Sequence, residues 1–201
     1  MATNEIIQRA LIYGPVILLS LTVHEFFHAW SAHKFGDDTA RNLGRMSLNP
    51  LVHLDFFGTL AMVLSQFTFG WAKPVPVNPL NLRNPRVADL WISAAGPLSN
   101  LGLALVCGLV FQSLTLTGYA AEVLTAMVVI NITLAIFNLI PLYPLDGSHI
   151  LRNLLPPEYA SSFDRFSRFA PFLLLIVIVT GLFWRLFGPI AMALARLFLG
   201  Y

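Results

Sequence analysis

The chain has 201 residues, 57% hydrophobic and 11% charged, with a mean hydropathy of +0.72. A soluble protein carries roughly 25% charged residues, so there is too little polar surface to solvate a globule, and the composition predicts an integral membrane protein. The net charge of +2 is scattered between apolar runs with no basic stripe, which argues against nucleic acid as a partner. The single cysteine, Cys107, excludes an internal disulfide and reads as a small packing residue.

A helix crosses the hydrocarbon core with about 20 apolar residues, and that length predicts four confident spans, at residues 7–32, 90–112, 123–142 and 169–187. The first has one arginine and no small-residue cleavage site, so it reads as a retained helix, not a signal peptide. Residues 56–72 are uncharged for 17 positions but carry Gly58, Ser65, Gln66 and Gly70. That stretch is marginal for spanning and is expected to be a re-entrant or extended segment, with a further span as the alternative. Repeated prolines in residues 73–86 (KPVPVNPLNLRNPR) preclude a continuous helix and favour extended backbone. A polar loop covers residues 146–168, and the tail breaks at Gly188 and Pro189, which suits an interfacial helix or a short span. The expected fold is an all-α polytopic membrane protein of about four to six membrane segments. One domain is expected over residues 1–201, with its core at about 7–155 and C-terminal membrane segments at about 169–199.

Inside the first span lies LTVHEFFHAW, residues 21–30. Between Ala10 and Trp30 the only formal charge is Glu25, and an ionisable group at bilayer depth costs at least ~2.5 kcal/mol on insertion scales. Residues four apart stack on one helical face, so His24 and His28 turn toward one point while Glu25 flanks it. This is the H-E-x-x-H arrangement. Two imidazoles supply two protein ligands of an open zinc site, the metal activates a bound water, and a neighbouring glutamate accepts its proton. The plain alternative is a buried histidine pair hydrogen-bonded to neighbouring helices. Three ionisable groups so close together in a span are hard to justify by packing alone.

A third ligand is needed. A metzincin would place histidine at position 34 and glycine at position 31, where this chain has Lys34 and Ser31. A thermolysin-like downstream glutamate is missing too, since no Glu occurs between Glu25 and Glu122. His33, His53 and Asp55 are the nearby options. The distant one is NLIPLYPLDGSH, residues 138–149, where Pro141 and Pro144 free backbone groups that are tolerated at depth only in protein or beside water. There Asp146 precedes Gly147, an Asp-Gly pair that would also suit a simple turn.

HEFFH on a membrane helix, AAGPLSN (residues 94–100) opening another and NLIPLYPLDG ending a third together resemble the site-2 protease family of intramembrane zinc metalloproteases. The resemblance implies one zinc per chain held by His24, His28 and Asp146, with Glu25 as catalytic base. It covers most of residues 14–155. Asn138 begins the family's N-x-x-P-x-x-P-L-D-G run, which suggests a donor near the oxyanion or the substrate backbone, against a plain interhelical hydrogen bond. Gly96, Asn100, Ala104 and Gly108 recur every fourth residue and read as a packing face. The turn near residues 115–119 is too short for the PDZ domains of some members, and a CBS domain is not expected either, so the resemblance is to a minimal form.

The expected activity is zinc-dependent endoproteolysis of transmembrane segments, the partners being a transmembrane protein or peptide substrate and the lipid bilayer. Oligomeric state is left open. A catalytically silent adaptor or metal-binding protein of the same fold is the alternative, and an intact Glu25 argues against it. Segment 73–81 is expected either to pair as an edge strand with an unwound substrate or to serve as a connecting loop. Segments 33–55, 73–89 and 143–168 hold three Lys or Arg each and the turn 113–119 none. The positive-inside rule therefore places those three basic segments, and the mouth of the site, on the cytoplasmic side of the cell membrane.

Overall fold

A computed structural model describes residues 3–201. Its elements are α-helical: α1 (Thr3–Lys34), the single turn α2 (Thr39–Asn42), α3 (Phe56–Leu64), α4 (Pro85–Ser113), α5 (Gly118–Asn138), α6 (Asp146–Leu154), α7 (Pro157–Phe166), α8 (Ala170–Val179) and α9 (Leu182–Leu199). Four of them, α1 from Ile7, α4, α5 and α9, are long and apolar enough to cross a membrane. The chain is an all-α polytopic membrane protein.

Contacts at both ends fix the directions of the helices. Tyr119 at the start of α5 donates to the Leu11 carbonyl of α1 at 3.1 Å, while His28 near the end of α1 meets the Ile92 carbonyl near the start of α4. Thus α1 and α5 run parallel, with α4 antiparallel between them. Gln112 near the end of α4 donates to the Phe198 carbonyl at 2.8 Å, so α9 runs parallel to α4. Ile12, Val16, Ala104, Cys107, Val128, Ile132, Ala191 and Ala195 form the core shared by these four helices. Small residues set the spacing, since lipid tails are as apolar as leucine and close backbone approach must supply the attraction. A Cβ at Gly108 would collide with the Phe198 carbonyl.

The stretch 56–72 returns to where it enters. Leu54 bridges antiparallel to Ala72, and the Lys73 amide donates to the His53 carbonyl at 2.8 Å. Asp55 starts α3 by accepting from the Gly58 amide at 2.8 Å, which satisfies one of the donors that every helix start leaves open. Gln66 and Phe67, with φ of 54° and 63°, reverse the chain, and the Phe67 ring packs beside Gly14 of α1. As a re-entrant hairpin this segment meets its expectation.

The expected span at 169–187 does not form as one helix. Gly181 takes φ of +67° and divides it into α8 and α9. A left-handed residue cannot continue a right-handed helix, and glycine adopts it without a Cβ clash. Ten residues give α8 a length of about 15 Å, short of a ~30 Å core. Conversely α9 continues through Gly188 and Pro189, where the sequence suggested a break. It is the tail that supplies the fourth span.

Candidate metal centre

His24 and His28 sit one turn apart near the C-terminal end of α1, and Asp146 is the first residue of α6. A ligand atom from each lies within 4.8 Å of the others. His24 Nε2 is 2.9 Å from His28 Nε2 and 3.2 Å from Asp146 Oδ2, and His28 Nε2 is 3.4 Å from Asp146 Oδ1. Both histidines are buried. Gly96 of α4 lies against the two rings so closely that a Cβ there would overlap both imidazoles. Gly147 plays the matching part for Asp146. Its Cβ would strike the Leu139 and Ile140 carbonyls, so only glycine lets α6 start this close to the end of α5.

The hydrogen bonds behind the rings fix where their protons are. His28 Nδ1 is 2.7 Å from the Ile92 carbonyl oxygen, which can only accept. His24 Nδ1 is 2.7 Å from Asn100 Oδ1. The Asn100 amide is oriented by its other contacts, because Nδ2 donates to the Ser20 carbonyl at 3.2 Å and to Asn131 Oδ1 at 2.7 Å. Asn131 Nδ2 in turn donates to the Met127 carbonyl and to Ser20 Oγ, each at 2.8 Å. Both imidazoles therefore carry a proton on Nδ1, which leaves both Nε2 atoms, aimed at the same point, as the nitrogens that can ligate a cation. Asp146 Oδ2, buried and without a hydrogen-bond donor, faces the same point. Two neutral imidazoles and a carboxylate, with each ring's other nitrogen anchored to an acceptor, form a donor set that fits zinc.

Glu25 is buried beside this cluster, and its Oε2 accepts from the Val75 amide at 2.9 Å. The Val75 segment is extended and held from several sides. Arg45 donates to the Lys73 carbonyl at 2.6 Å, and the Asn78 amide donates to Asp37 at 2.7 Å. Asp37 is fully buried. Burial alone would push its carboxyl up, but hydrogen bonds from Thr39, Asn81 and Asn78 outweigh that and hold it below the usual carboxylate range.

The other candidates from the sequence are engaged elsewhere. His33 Nδ1 pairs with Asp38 at 2.6 Å, His53 donates from Nε2 to the Ser47 carbonyl at 2.8 Å, and Asp55 caps α3. Asn138 Nδ2 donates at 3.0 Å to the Leu134 carbonyl of its own helix, and its side chain makes no interhelical hydrogen bond among the described residues. His149 pairs with Asp89 of α4 at 3.3 Å. That carboxylate, against the opposing effect of burial, raises the imidazole above its ordinary 6.5. Asn100 was expected to be a packing residue and is instead the partner of His24. A polar amide on a stripe of small residues was the only signal available for it.

The profile of peptidase family M50 matches residues 112–179. A Bacillus subtilis protein named "Putative zinc metalloprotease YwhC" is 39% identical over 177 residues, covering 83% of this chain and 79% of that one. "Zinc metalloprotease MJ0392" of Methanocaldococcus jannaschii is 27% identical over 146 residues, 72% of this chain and 34% of its own length. No solved structure matches the chain. The identity to the Bacillus protein across most of both chains, on a helical membrane fold with HEFFH and LDG brought together, shows that the chain belongs to peptidase family M50, the site-2 protease family.

Proposed function

We propose that this chain is a zinc-dependent endopeptidase that cuts transmembrane segments of other proteins, with one zinc held by His24, His28 and Asp146. The observation that carries this reading is the convergence of the two Nε2 atoms and a buried Asp146 oxygen without a hydrogen-bond partner among membrane helices. When bound, the metal supplies Lewis acidity and lowers the pKa of a coordinated water. Glu25 acts as the base. One of its oxygens takes the Val75 amide, which leaves the other free to accept the water's proton and pass it to the leaving amine.

The relatives named zinc metalloproteases support the metal and the reaction type. The four candidate spans support a substrate that is itself in the membrane. In a helix the scissile amide is shielded by its own hydrogen bonds, so substrates with helix-weakening residues are expected to be preferred. Segment 73–77 is extended, and its Val75 amide faces Glu25. An unwound substrate strand placed there would meet backbone partners at the site.

The test is cleavage of an apolar transmembrane peptide by protein reconstituted in liposomes. Glu25→Gln is expected to abolish cleavage while zinc stays bound. Full cleavage by that variant with zinc retained would remove Glu25 from the role of base.

A further inference from the structure

On the lipid-facing side of the helix pair that holds the histidines, α1 and α4 enclose an open groove of about 780 Å³. Val23, Phe27 and Trp30 line it from α1, and Trp91, Leu98 and Val106 from α4. Gly102 on its α4 wall faces open space, since a Cβ built there meets nothing within 4 Å. Its polarity is one-sided. The only charged lining residue is Lys34, at the end where α1 stops, with its ammonium 5.4 Å from the centre of the Trp30 ring. Arg83 lies at that same end, its backbone amide on the Phe35 carbonyl and its side chain beside Gly36.

Among the described residues neither cation has an acidic partner, and the nearest acids are committed. Asp38 is held by His33 and Arg41, and Asp37 by four donors. A largely apolar channel, with Ser31 and Ser99 as its uncharged polar lining residues, two uncommitted cations and two tryptophans at one end and no charge at the other, complements an amphiphile with a single anionic head. Tryptophan favours headgroup depth, and basic pockets between membrane helices take anionic headgroups. A spanning peptide, polar at both ends, would find a complement at only one.

We propose that this groove is a binding site for an anionic phospholipid, its acyl chain between α1 and α4 and its phosphate between Lys34 and Arg83. A lipid seated there bridges the two helices whose mutual position sets the His24–Asn100 and His28–Ile92 hydrogen bonds.

Tryptophan quenching by lipids with brominated acyl chains tests this on the full chain in phosphatidylcholine vesicles. Brominated phosphatidylglycerol is expected to give a saturable quenching phase at low mole fraction that brominated phosphatidylcholine does not. Lys34→Gln and Arg83→Gln, both exposed positions, should each raise the half-saturating fraction about fivefold. Gly102→Leu, at a position whose Cβ meets no protein atom within 4 Å, adds a side chain on the groove wall and should remove the phase. Equal curves for the two lipids, or a phosphatidylglycerol curve unchanged in all three variants, would reduce the contact to ordinary annular lipid and overturn the proposal. Displacement of the phase by a stoichiometric apolar transmembrane peptide would reassign the groove to a helix and also overturn it.

Discussion

Asn100 Oδ1 stands 2.7 Å from His24 Nδ1, and the amide cannot turn around, because its Nδ2 faces the Ser20 carbonyl. The proton of His24 is thereby held away from the candidate metal position. Asn100→Ala removes that anchor and leaves the imidazole free to protonate at Nε2. Its zinc affinity is expected to fall about 10- to 100-fold, read by competition with a coloured chelator. Asn131→Ala acts one bond further back and should cost less. Unchanged affinity in Asn100→Ala would mean that the ring is oriented by packing alone.

A methyl group at Gly96 would occupy the space of both imidazole rings. Alanine raises intrinsic helix stability by roughly 0.5–1 kcal/mol over glycine, so a weaker α4 cannot be the cause of any loss. Gly96→Ala is expected to retain its helical circular dichroism and lose zinc. A variant that binds zinc as tightly as wild type would show that α4 can retreat from α1 at little cost.

At Gly147 the obstacle is backbone, since the Leu139 and Ile140 carbonyls lie where a Cβ would go. Overpacking of this kind costs about 1–3 kcal/mol. Gly147→Ala should lower the midpoint of thermal unfolding and displace Asp146, with zinc retention falling in parallel. Wild-type values for both would mean that α6 can shift without consequence.

The His149–Asp89 pair ties α6 to α4 and depends on pH. The folded imidazole is raised above its ordinary 6.5, so the contribution is fully present below that value and is lost as pH rises through the higher folded value. Both side chains are partly exposed, which limits the effect to under ~1 kcal/mol. Thermal unfolding between pH 6 and 9, about the range over which a raised histidine titrates, should show a small loss that His149→Gln abolishes. An identical loss in the variant would assign it to another group.

These expectations draw on features that differ in how far the sequence showed them. HEFFH and LDG were legible because like residues at helical spacing, or beside prolines that break a helix, carry their chemistry in local order. The hairpin at 56–72 was only half legible, since a short run with two glycines is marginal for spanning without excluding it. The place of the last span was not legible. Hydropathy is almost continuous from Ala170 to Leu199, and the division depends on a single backbone conformation at Gly181. Asn100 and Asn131 were equally hidden, since a partnership across three helices leaves no periodic trace in any one of them.

We propose that the site opens to the cytoplasmic side, on the parallel run of α1 and α5 together with the distribution of Lys and Arg. Single cysteines at Asn84 and Thr117 in a Cys107→Ser background report it through an impermeant thiol reagent on intact cells. Labelling is expected at Thr117 and not at Asn84. The reverse pattern would invert the protein in the membrane.

Asp146 is proposed to complete a metal site with His24 and His28. The most direct measurement is zinc per chain after equilibration with a chelator, for wild type, His53→Ala and Asp146→Ala. Wild type and His53→Ala should keep one zinc per chain, and Asp146→Ala should lose it. Equal zinc in wild type and Asp146→Ala would contradict the account and move the third ligand elsewhere.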